Sequence, residues 1–446
     1  MAEPLRIALA GLGTVGAGVI RLLASNDALV TARAGREIRI IAVSARDRSR
    51  DRGVDLSPFE WCDDMTAMAC RDDIDAVVEL VGGADGPALT LARNAIREGK
   101  ALVTANKAMI AHHGLALAQA AEAAGVPLRF EAAVAGGVPV IKALREGAAA
   151  NAIVRVQGIL NGTCNYILST MEDTGRDFGD VLAEAQALGY AEADPTFDIE
   201  GIDAAHKLAI LSAIAFGARL DFASVSAEGI ARVRAADIAR AADLGFVIRL
   251  VGTADVENAE PGNAGSSPAR MLQRVRPCLV ARDHPLAHVD GPTNAVVAEG
   301  NFSGRLLFQG AGAGDGPTAS AVVADLIDIA RAAADGRDAG PPFSIPADRL
   351  VPMAPSEPGD RRGRNYLRFT VADKPGVLAE IAAAMRDGGV SIESLIQQGR
   401  STTEGEVLVV MVTHDGPERC VTDAMRLLEG SPSLTAAPLV MPILEA

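Results

Sequence analysis

The sequence predicts an α/β fold in three parts: a doubly wound parallel sheet, a second α/β unit, and a C-terminal ferredoxin-like βαββαβ unit. Three observations carry this. Apolar β-type runs alternate with amphipathic helical runs through the first third, the pattern of successive βαβ units. A stretch dense in proline and glycine from Asp335 to Asn365, containing Asp360-Arg361-Arg362-Gly363-Arg364, then breaks the periodicity and reads as a linker. Beyond it, runs recur in the order strand, helix, strand, strand, helix, strand. At 446 residues the chain has room for two or three domains.

Taken in order, the first strand spans 5–10 and its helix 14–24. Strands follow at 38–44, 76–81, 101–104 and 127–132. Helices fit at 87–98, with Pro87 at the start and Gly99 past the end, and at 115–124. The middle opens on a strand over 151–160 and turns mostly helical to 218, with later strands near 245–253, 269–279 and 293–299. The C-terminal unit reads as strand 366–371, helix from 376, strands 390–396 and 406–413, helix 418–428 and strand 437–443.

Composition narrows the partners. The formal charge is 42 − 57 = −15 and aromatics make up 3%, which disfavours nucleic acid, whose recognition wants basic faces and stacking rings. The longest strongly apolar run, 208–218, is broken by Ser212 and Gly217 and is too short for a bilayer. No basic flank precedes a hydrophobic stretch at the N-terminus, so no signal peptide is expected. Five cysteines without a C-x-x-C pair, and a single adjacent pair His112-His113, suggest a reduced, cytoplasmic protein without a zinc site. Only five lysines stand against 37 arginines. Each lysine is therefore a candidate for work arginine does poorly, such as giving up a proton.

Gly11-Leu12-Gly13-Thr14-Val15-Gly16 follows the first strand and opens the first helix. In G-x-G-x-x-G the first glycine permits the tight turn, the second admits a pyrophosphate, and the third lets helix and strand pack closely. The helix N-terminus supplies free N–H groups to the phosphate. The first part is thus a Rossmann-like dinucleotide domain. At the end of the second strand, where an acidic residue would hold a ribose 2′-hydroxyl, the chain reads Ser44-Ala45-Arg46-Asp47-Arg48. Arg46 suits a 2′-phosphate, so NADP is expected over NAD. Asp47 keeps NAD open, and so does the reading of these arginines as loop solvation.

Asn161-Gly162-Thr163-Cys164 follows a strand and opens a helix, offering N–H groups to a small anion such as a carboxylate. The acidic segment from Gly189 to Gly201 then leads into a helix bearing Asp203 and Lys207 at i, i+4, on one face. By themselves these fit either a catalytic pair or an ordinary helix ion pair.

Together with Val81-Gly82-Gly83, Thr104-Ala105-Asn106-Lys107 and the run from Glu131 to Pro139, these motifs resemble homoserine dehydrogenase of the longer bacterial type that carries a C-terminal ACT domain. The resemblance covers nearly the whole chain. It implies reversible hydride transfer between NADPH and L-aspartate 4-semialdehyde, giving L-homoserine. A hydride reaching an aldehyde carbon leaves charge on oxygen, which a donor must neutralise. By the resemblance Lys207 is that donor, Asp203 orients it, and Lys107 lies between nicotinamide and substrate. Glu192 and Asp198 would take the substrate ammonium, Gly162 and Thr163 would reach the substrate, and Tyr190 would line the pocket. The nucleotide would be held by Gly11, Leu12, Gly13, Thr14, Val15, Gly16, Arg46, Thr104, Lys107 and, late in the chain, Gly312. Backbone carbonyls of Glu131, Val134, Gly136 and Val138 resemble a site for sodium or another monovalent cation; a plain Gly-Gly turn reads equally well from the residues. Hydride transfer to a free aldehyde needs no thioester, so Cys164 reads as a buried small residue. His112 and His113 read as structural, with His206 pointing away from Lys207.

Residues 373–378 join the first strand to the first helix of the C-terminal unit and resemble the ACT module. The implied effector is threonine, met by Asp373, Pro375, Gly376 and Val377 at a helix N-terminus; an inert or merely dimerising unit is the alternative. The expected division is 1–135 for the nucleotide domain with a return at 310–335, 136–310 for catalysis and dimerisation, 336–364 as linker, and 365–446 as the ACT unit. A homodimer or homotetramer is expected. Two rivals stand beside this reading: another NADP-linked reductase of a small amino aldehyde, and a nucleotide-binding amino-acid sensor without catalysis.

Overall fold

The structure is a computed structural model; it describes residues 3–257, 269–336, 339–357, 359, 361–397 and 406–445. Its first part comprises β1 (Leu5–Ala10), α1 (Thr14–Ser25), α2 (Asp27–Ala34), β2 (Ile38–Ser44), β3 (Glu60–Trp61), β4 (Ala76–Glu79), α3 (Pro87–Arg97), β5 (Ala101–Thr104), α4 (Lys107–Ala124) and β6 (Leu128–Arg129). The six strands are all parallel and lie in the order β3-β2-β1-β4-β5-β6, the doubly wound order with its switch point beside β1. Strands buried on both faces read as continuous apolar runs, which is why β1, β2, β4 and β5 were legible. Two expectations shift. The helix expected at 115–124 starts at Lys107, because the Asn106 side chain accepts from Met109 N–H and caps it, and Gly125 ends it in the left-handed region. The strand expected at 127–132 shrinks to β6, since the chain turns into a 3₁₀ segment at Glu131–Ala133.

The middle part holds α5 (Val140–Lys142), β7 (Ile153–Ile159), α6 (Gly162–Thr174), α7 (Phe178–Ala187), α8 (Thr196–Ile199), α9 (Ile202–Phe216), β8 (Ser226–Ala227), α10 (Ala235–Asp243), β9 (Phe246–Glu257), β10 (Arg270–Ala281), β11 (Thr293–Gly300), β12 (Gly304–Ala311) and α11 (Asp315–Asp335). Strand β12 was not expected; its alternating exposure and glycine-rich ends hide it. Helix α11 returns to the first sheet. Residues from Ala319 to Ala330 complete its core, and α11 packs along α1, where a Cβ on Gly18 would lie 2.7 Å from the Asp315 carbonyl oxygen.

The last part contains β13 (Ala354–Pro355), β14 (Arg362–Gly363), β15 (Asn365–Ala372), α12 (Val377–Asp387), β16 (Ile392–Gln397), β17 (Glu406–Thr413), β18 (Gly416–Pro417), α13 (Glu418–Leu427) and β19 (Leu434–Leu444). Strands β19-β15-β17-β16 form an antiparallel sheet under α12 and α13, the expected βαββαβ order. This sheet is not separate. β10 pairs in parallel with β19 (Leu279 with Ile443, Val280 with Leu444), so one sheet runs β12-β11-β7-β9-β10-β19-β15-β17-β16.

The segment read as a linker is packed, which corrects that expectation for its described residues; 337, 338, 358 and 360 lie outside them. Phe343, Ala347 and Leu350 are buried. Arg129 donates to the carbonyls of Ala339 and Gly340, Glu122 accepts from Ala347 N–H, and Val351 bridges to Ala218. Proline density here marks a fixed extended path across other elements. Among the described residues no single helix is long and apolar enough to cross a membrane.

Candidate active site

A cleft of about 640 Å³ opens between the glycine turn and the start of α9. On the nucleotide side, Gly11 has φ +100°, and a Cβ there would meet Leu80 backbone at 2.7 Å. A Cβ on Gly16 would come 2.1 Å from the Gly11 carbonyl oxygen. At these two positions only glycine fits. Helix α1 carries no side-chain cap and no acidic residue in its first turn, so its N–H groups and positive end remain for an anion. Val15 lines the cleft, and Gly13 and Thr14 are exposed at its edge. The Leu12 side chain turns into the core, leaving only its backbone to the turn.

Thr104 stands apart from its expected place. It is fully buried, donates to Glu79 Oε2 at 2.6 Å and accepts from Asn106 N–H at 3.0 Å. It does not line the cleft; it braces the loop that does. Glu79, also fully buried, accepts from Val81 N–H at 2.7 Å and Gly82 N–H at 3.2 Å. Sequence reasoning missed Glu79, although a lone carboxylate inside an apolar run was a visible signal. Arg46 is exposed just beyond β2 and outside the cleft lining. The nearby Arg52, also missed, donates to the Leu12 carbonyl at 3.0 Å and so ties the arginine loop to the glycine turn.

The far wall converges on one carboxylate. Asp203 Oδ2 accepts from Lys207 Nζ at 2.7 Å and from Asn161 Nδ2 at 2.9 Å, and Oδ1 lies 3.0 Å from Lys107 Nζ. Burial alone would raise the Asp203 carboxyl. The ammonium groups of Lys207 and Lys107, with hydrogen bonds from Lys207 and Asn161, overcome it and hold the group well below the usual carboxylate range. Lys207 also donates to the Leu160 carbonyl at 2.7 Å; that leaves one of its three protons for the cleft it lines. Asn161 organises this wall: its Oδ1 caps α6 at Cys164 N–H, and its amide spans Asp198 and Asp203. Its value as an N-cap was readable; its reach to two carboxylates 37 and 42 residues away was not.

Gly162, Thr163, Tyr190 and Asp198 all line the cleft. Gly162 sits where a Cβ would meet the Pro292 carbonyl oxygen at 2.7 Å, and the Thr163 hydroxyl donates to the Tyr190 carbonyl at 2.7 Å. Burial first, then Asp203, raises the Asp198 carboxyl above its ordinary value. Glu192 is not brought in. It lies exposed on the turn after α7, engaged through its backbone carbonyl with Gln186, and outside the lining. Cys164 is fully buried with its thiol toward the Asp198 carbonyl, and burial pushes its pKa well up, which makes it inert as a nucleophile. His112 and His113 lie within α4, which starts at Lys107, and His206 turns toward His112. His112 and His206 lie inside α4 and α9 with their Nε2 atoms 3.4 Å apart, packed against Phe222.

Gly312 lines the cleft against Asn294, and a Cβ on Gly136 would meet the Gly312 carbonyl oxygen at 2.5 Å. Ala135 and Gly136 are consecutive left-handed residues (φ +55° and +49°), which turns the backbone sharply between Val134 and Val138. The Val138 carbonyl accepts from Val140 N–H at 2.7 Å and that of Glu131 from Val134 N–H at 3.4 Å; each keeps a lone pair for a hard cation. The Glu131 side chain points elsewhere. It accepts from Ile141 and Lys142 N–H, and burial first, then Asp325, pushes its carboxyl up to about 7. Among the described residues no His, Cys, Asp and Glu group is placed to hold a metal ion. In the C-terminal unit, Asp373, Pro375, Gly376 and Val377 line a separate cavity of about 290 Å³ with Gln397 and Val409. Gly376, at φ +96°, caps α12 there.

Comparison with known proteins bears on this geometry. A family model described as homoserine dehydrogenase matches residues 139–327, and one described as its NAD-binding domain matches 11–131. A homoserine dehydrogenase of Pseudomonas aeruginosa is 45% identical over 430 residues, covering 96% of each chain. The crystal structure of a homoserine dehydrogenase from Thiobacillus denitrificans matches with TM-score 0.90 and 42% identity over 99% of each chain. A hyperthermophilic archaeal homoserine dehydrogenase in complex with NADPH matches with TM-score 0.60 and 25% identity, over 73% of this chain and 98% of that one.

Proposed function

The chain belongs to the homoserine dehydrogenase family, NAD(P)-dependent oxidoreductases acting on a CH–OH group, and from that premise we propose that it reduces L-aspartate 4-semialdehyde to L-homoserine reversibly with NADPH. The observation that carries the assignment of roles is the meeting of Lys107 and Lys207 on Asp203 at the wall of the cleft facing the glycine turn. When bound, the nicotinamide supplies the hydride. Lys207 then passes a proton from Nζ to the developing alkoxide, and in the reverse direction takes it from the hydroxyl. Asp203 holds the Lys207 amine in line through its carboxylate, and Asn161 fixes Asp203. Lys107 adds positive charge where the oxygen charge grows. Asp198 takes the substrate ammonium, with Glu192 as the second carboxylate proposed for it, while the N–H groups at Gly162 and Thr163 suit the substrate carboxylate. Tyr190 forms the lip.

Gly11 to Gly16, Lys107 and Gly312 hold the dinucleotide, with Arg46 at the 2′-phosphate favouring NADP over NAD. Thr104 acts through Glu79 and Asn106. The left-handed turn suits a sodium-like cation on the carbonyls of Glu131, Val134, Gly136 and Val138; the cation would stiffen the corner facing Gly312. Residues 1–135 with α11 serve the nucleotide, 136–310 serve catalysis and dimerisation, and 365–446 act as an ACT unit. Threonine would bind at Asp373 to Val377 and inhibit. Among the described residues β12 and β16 have unpaired edges, which suits a homodimer or homotetramer.

The test follows absorbance of reduced nicotinamide as the protein meets L-homoserine with NADP, then NAD, each with and without threonine. Reduction favouring NADP and suppressed by threonine is the expected result. No reduction with either cofactor, in protein that binds NADPH, overturns the catalytic reading.

A further inference from the structure

We infer that the joint between β10 and the C-terminal unit is a binding site for one small monovalent anion of chloride or bromide size, bridging the two. In a chain of net charge −15, five arginines line one small cavity of about 30 Å³: Arg274 and Arg276 from β10, and Arg361, Arg362 and Arg364 from the strap that enters β15. Glu418, the first residue of α13, is the carboxylate lining it. Glu418 takes a bidentate pair from Arg274 at 2.7 and 2.8 Å and is shared with Arg276 at 3.3 and 3.4 Å. Asp255 is shared likewise, holding Arg155 at 2.5 Å and Arg361 at 3.1 Å. Arg362 is taken up by Asp415, and Arg364 by Glu393 and Glu445. The five lining arginines thus meet five carboxylates: Glu418 and Asp255 are each shared between two guanidinium groups, while Asp415, Glu393 and Glu445 each hold one.

Charge is balanced in number, but hydrogen-bond donors are in surplus. Buried Arg276 Nε and Arg364 Nε have no hydrogen-bond partner, and Arg361 Nη1 meets Asp255 as an ion pair without hydrogen-bond alignment. Unmade bonds of buried charged donors are costly. The Arg361 guanidinium sits below its ordinary pKa, through burial first and then the nearness of Arg274, so positive charge is crowded at that side of the cavity. Cys278 adds no negative charge: burial pushes its thiol up to about 12, and it points to the Arg276 carbonyl. A single water takes about 10–15 Å³ of such space, so the cavity admits one monatomic ion and excludes phosphate or a nucleotide. A water would accept from the guanidiniums but would find only Glu418 and Thr253 among the lining side chains to take its own protons. A halide accepts from all.

The full chain is tested with bromide as probe. Crystals grown in sodium bromide should show an anomalous difference peak among Arg276, Arg361 and Arg364. In solution, exchanging sodium gluconate for sodium bromide at constant ionic strength should raise the unfolding midpoint by about 3 °C. Arg276→Gln should abolish that rise, and Glu418→Gln, which frees Arg274 and Arg276, should enlarge it. Should Arg276→Gln fail to fold, the Glu418→Gln arm and the anomalous map decide. A water without anomalous signal, or equal midpoint shifts in wild type and Glu418→Gln, overturns the site. The outcome is independent of whether threonine inhibits.

Discussion

Asp203 and Lys207 face each other one turn apart on α9, carboxylate to ammonium at 2.7 Å, and both are nearly withdrawn from water. An isolated buried pair barely repays its desolvation. This one is reinforced by Asn161 on the carboxylate, the Leu160 carbonyl on the ammonium, and Lys107 on the second oxygen. The arrangement fits a pair kept for chemistry more than for stability.

Lys207→Ala should lower kcat by about 10²–10⁴-fold, the usual worth of a positioned proton donor, while the dissociation constant for NADPH stays within a few-fold. Steady-state rates and fluorescence titration of NADPH measure the two separately. A variant keeping most of its kcat would remove Lys207 from the proton step.

Gly16→Ala should abolish dinucleotide binding and lower stability, because its Cβ would press 2.1 Å from the Gly11 carbonyl and overpacking of this kind costs about 1–3 kcal/mol. Gly13→Ala, with open space around its Cβ, should fold normally. Melting curves with and without NADPH compare the two.

Arg46→Ala should weaken NADPH by about tenfold and leave NADH unchanged, the loss of one charge-assisted contact. Titration of both cofactors gives the ratio. Equal loss for NADH would mean that Arg46 shapes the loop and does not read the phosphate.

These sites differ in how much of them the sequence carried. The glycine turn was legible because steric demands are local: the residues that need no Cβ are contiguous. Asp203 and Lys207 were legible because a helix fixes what four residues apart means. Asn161 as the bridge from Asp198 to Asp203, and Glu79 behind Thr104, were hidden because their partners come from distant strands and turns. The packed segment 339–357 misled for a related reason: proline and glycine describe a backbone that is irregular, and irregular backbone can be as firmly bound as a helix when side chains such as Arg129 and Glu122 hold its polar groups.

His206 predicts a pH dependence. Burial first, then the His112 ring, pulls its pKa from the ordinary 6.5 to about 4, with Asp203, Lys107 and Lys207 also facing it. The unfolded chain takes up that proton near 6.5 and the folded one near 4. The stability it contributes is therefore full above 6.5, declines as pH falls, and is lost by about 4. His206→Phe, seated against Phe222 and Phe197, should show a smaller drop in unfolding midpoint between pH 7 and 5 than the wild type. Parallel profiles would mean His206 titrates normally.

Gly376→Val should remove the proposed threonine inhibition and spare kcat without threonine, since φ +96° disfavours a β-branched residue and the new side chain would stand in the open space of the cavity. A point change is the cleaner instrument here: deleting the unit would unpair β19 from β10 and strip Tyr366 and Arg368 from the buried Asp237. Inhibition curves over a threonine series give the answer. Full inhibition in the variant would place the effector elsewhere.

Helix α11 lies some three hundred residues downstream of the α1 surface it covers. During synthesis, the first sheet therefore leaves the ribosome with the face under α1 and α2 incompletely covered, and that face waits for most of the polypeptide before it is sealed. The amino-terminal half is not a cassette that can be cut out and grafted as a free nucleotide binder; expressed alone it would present a greasy flank to its neighbours. Maturation of this chain is gated by its own length, with closure of long loops setting the pace and a late-made helix completing the first-made core.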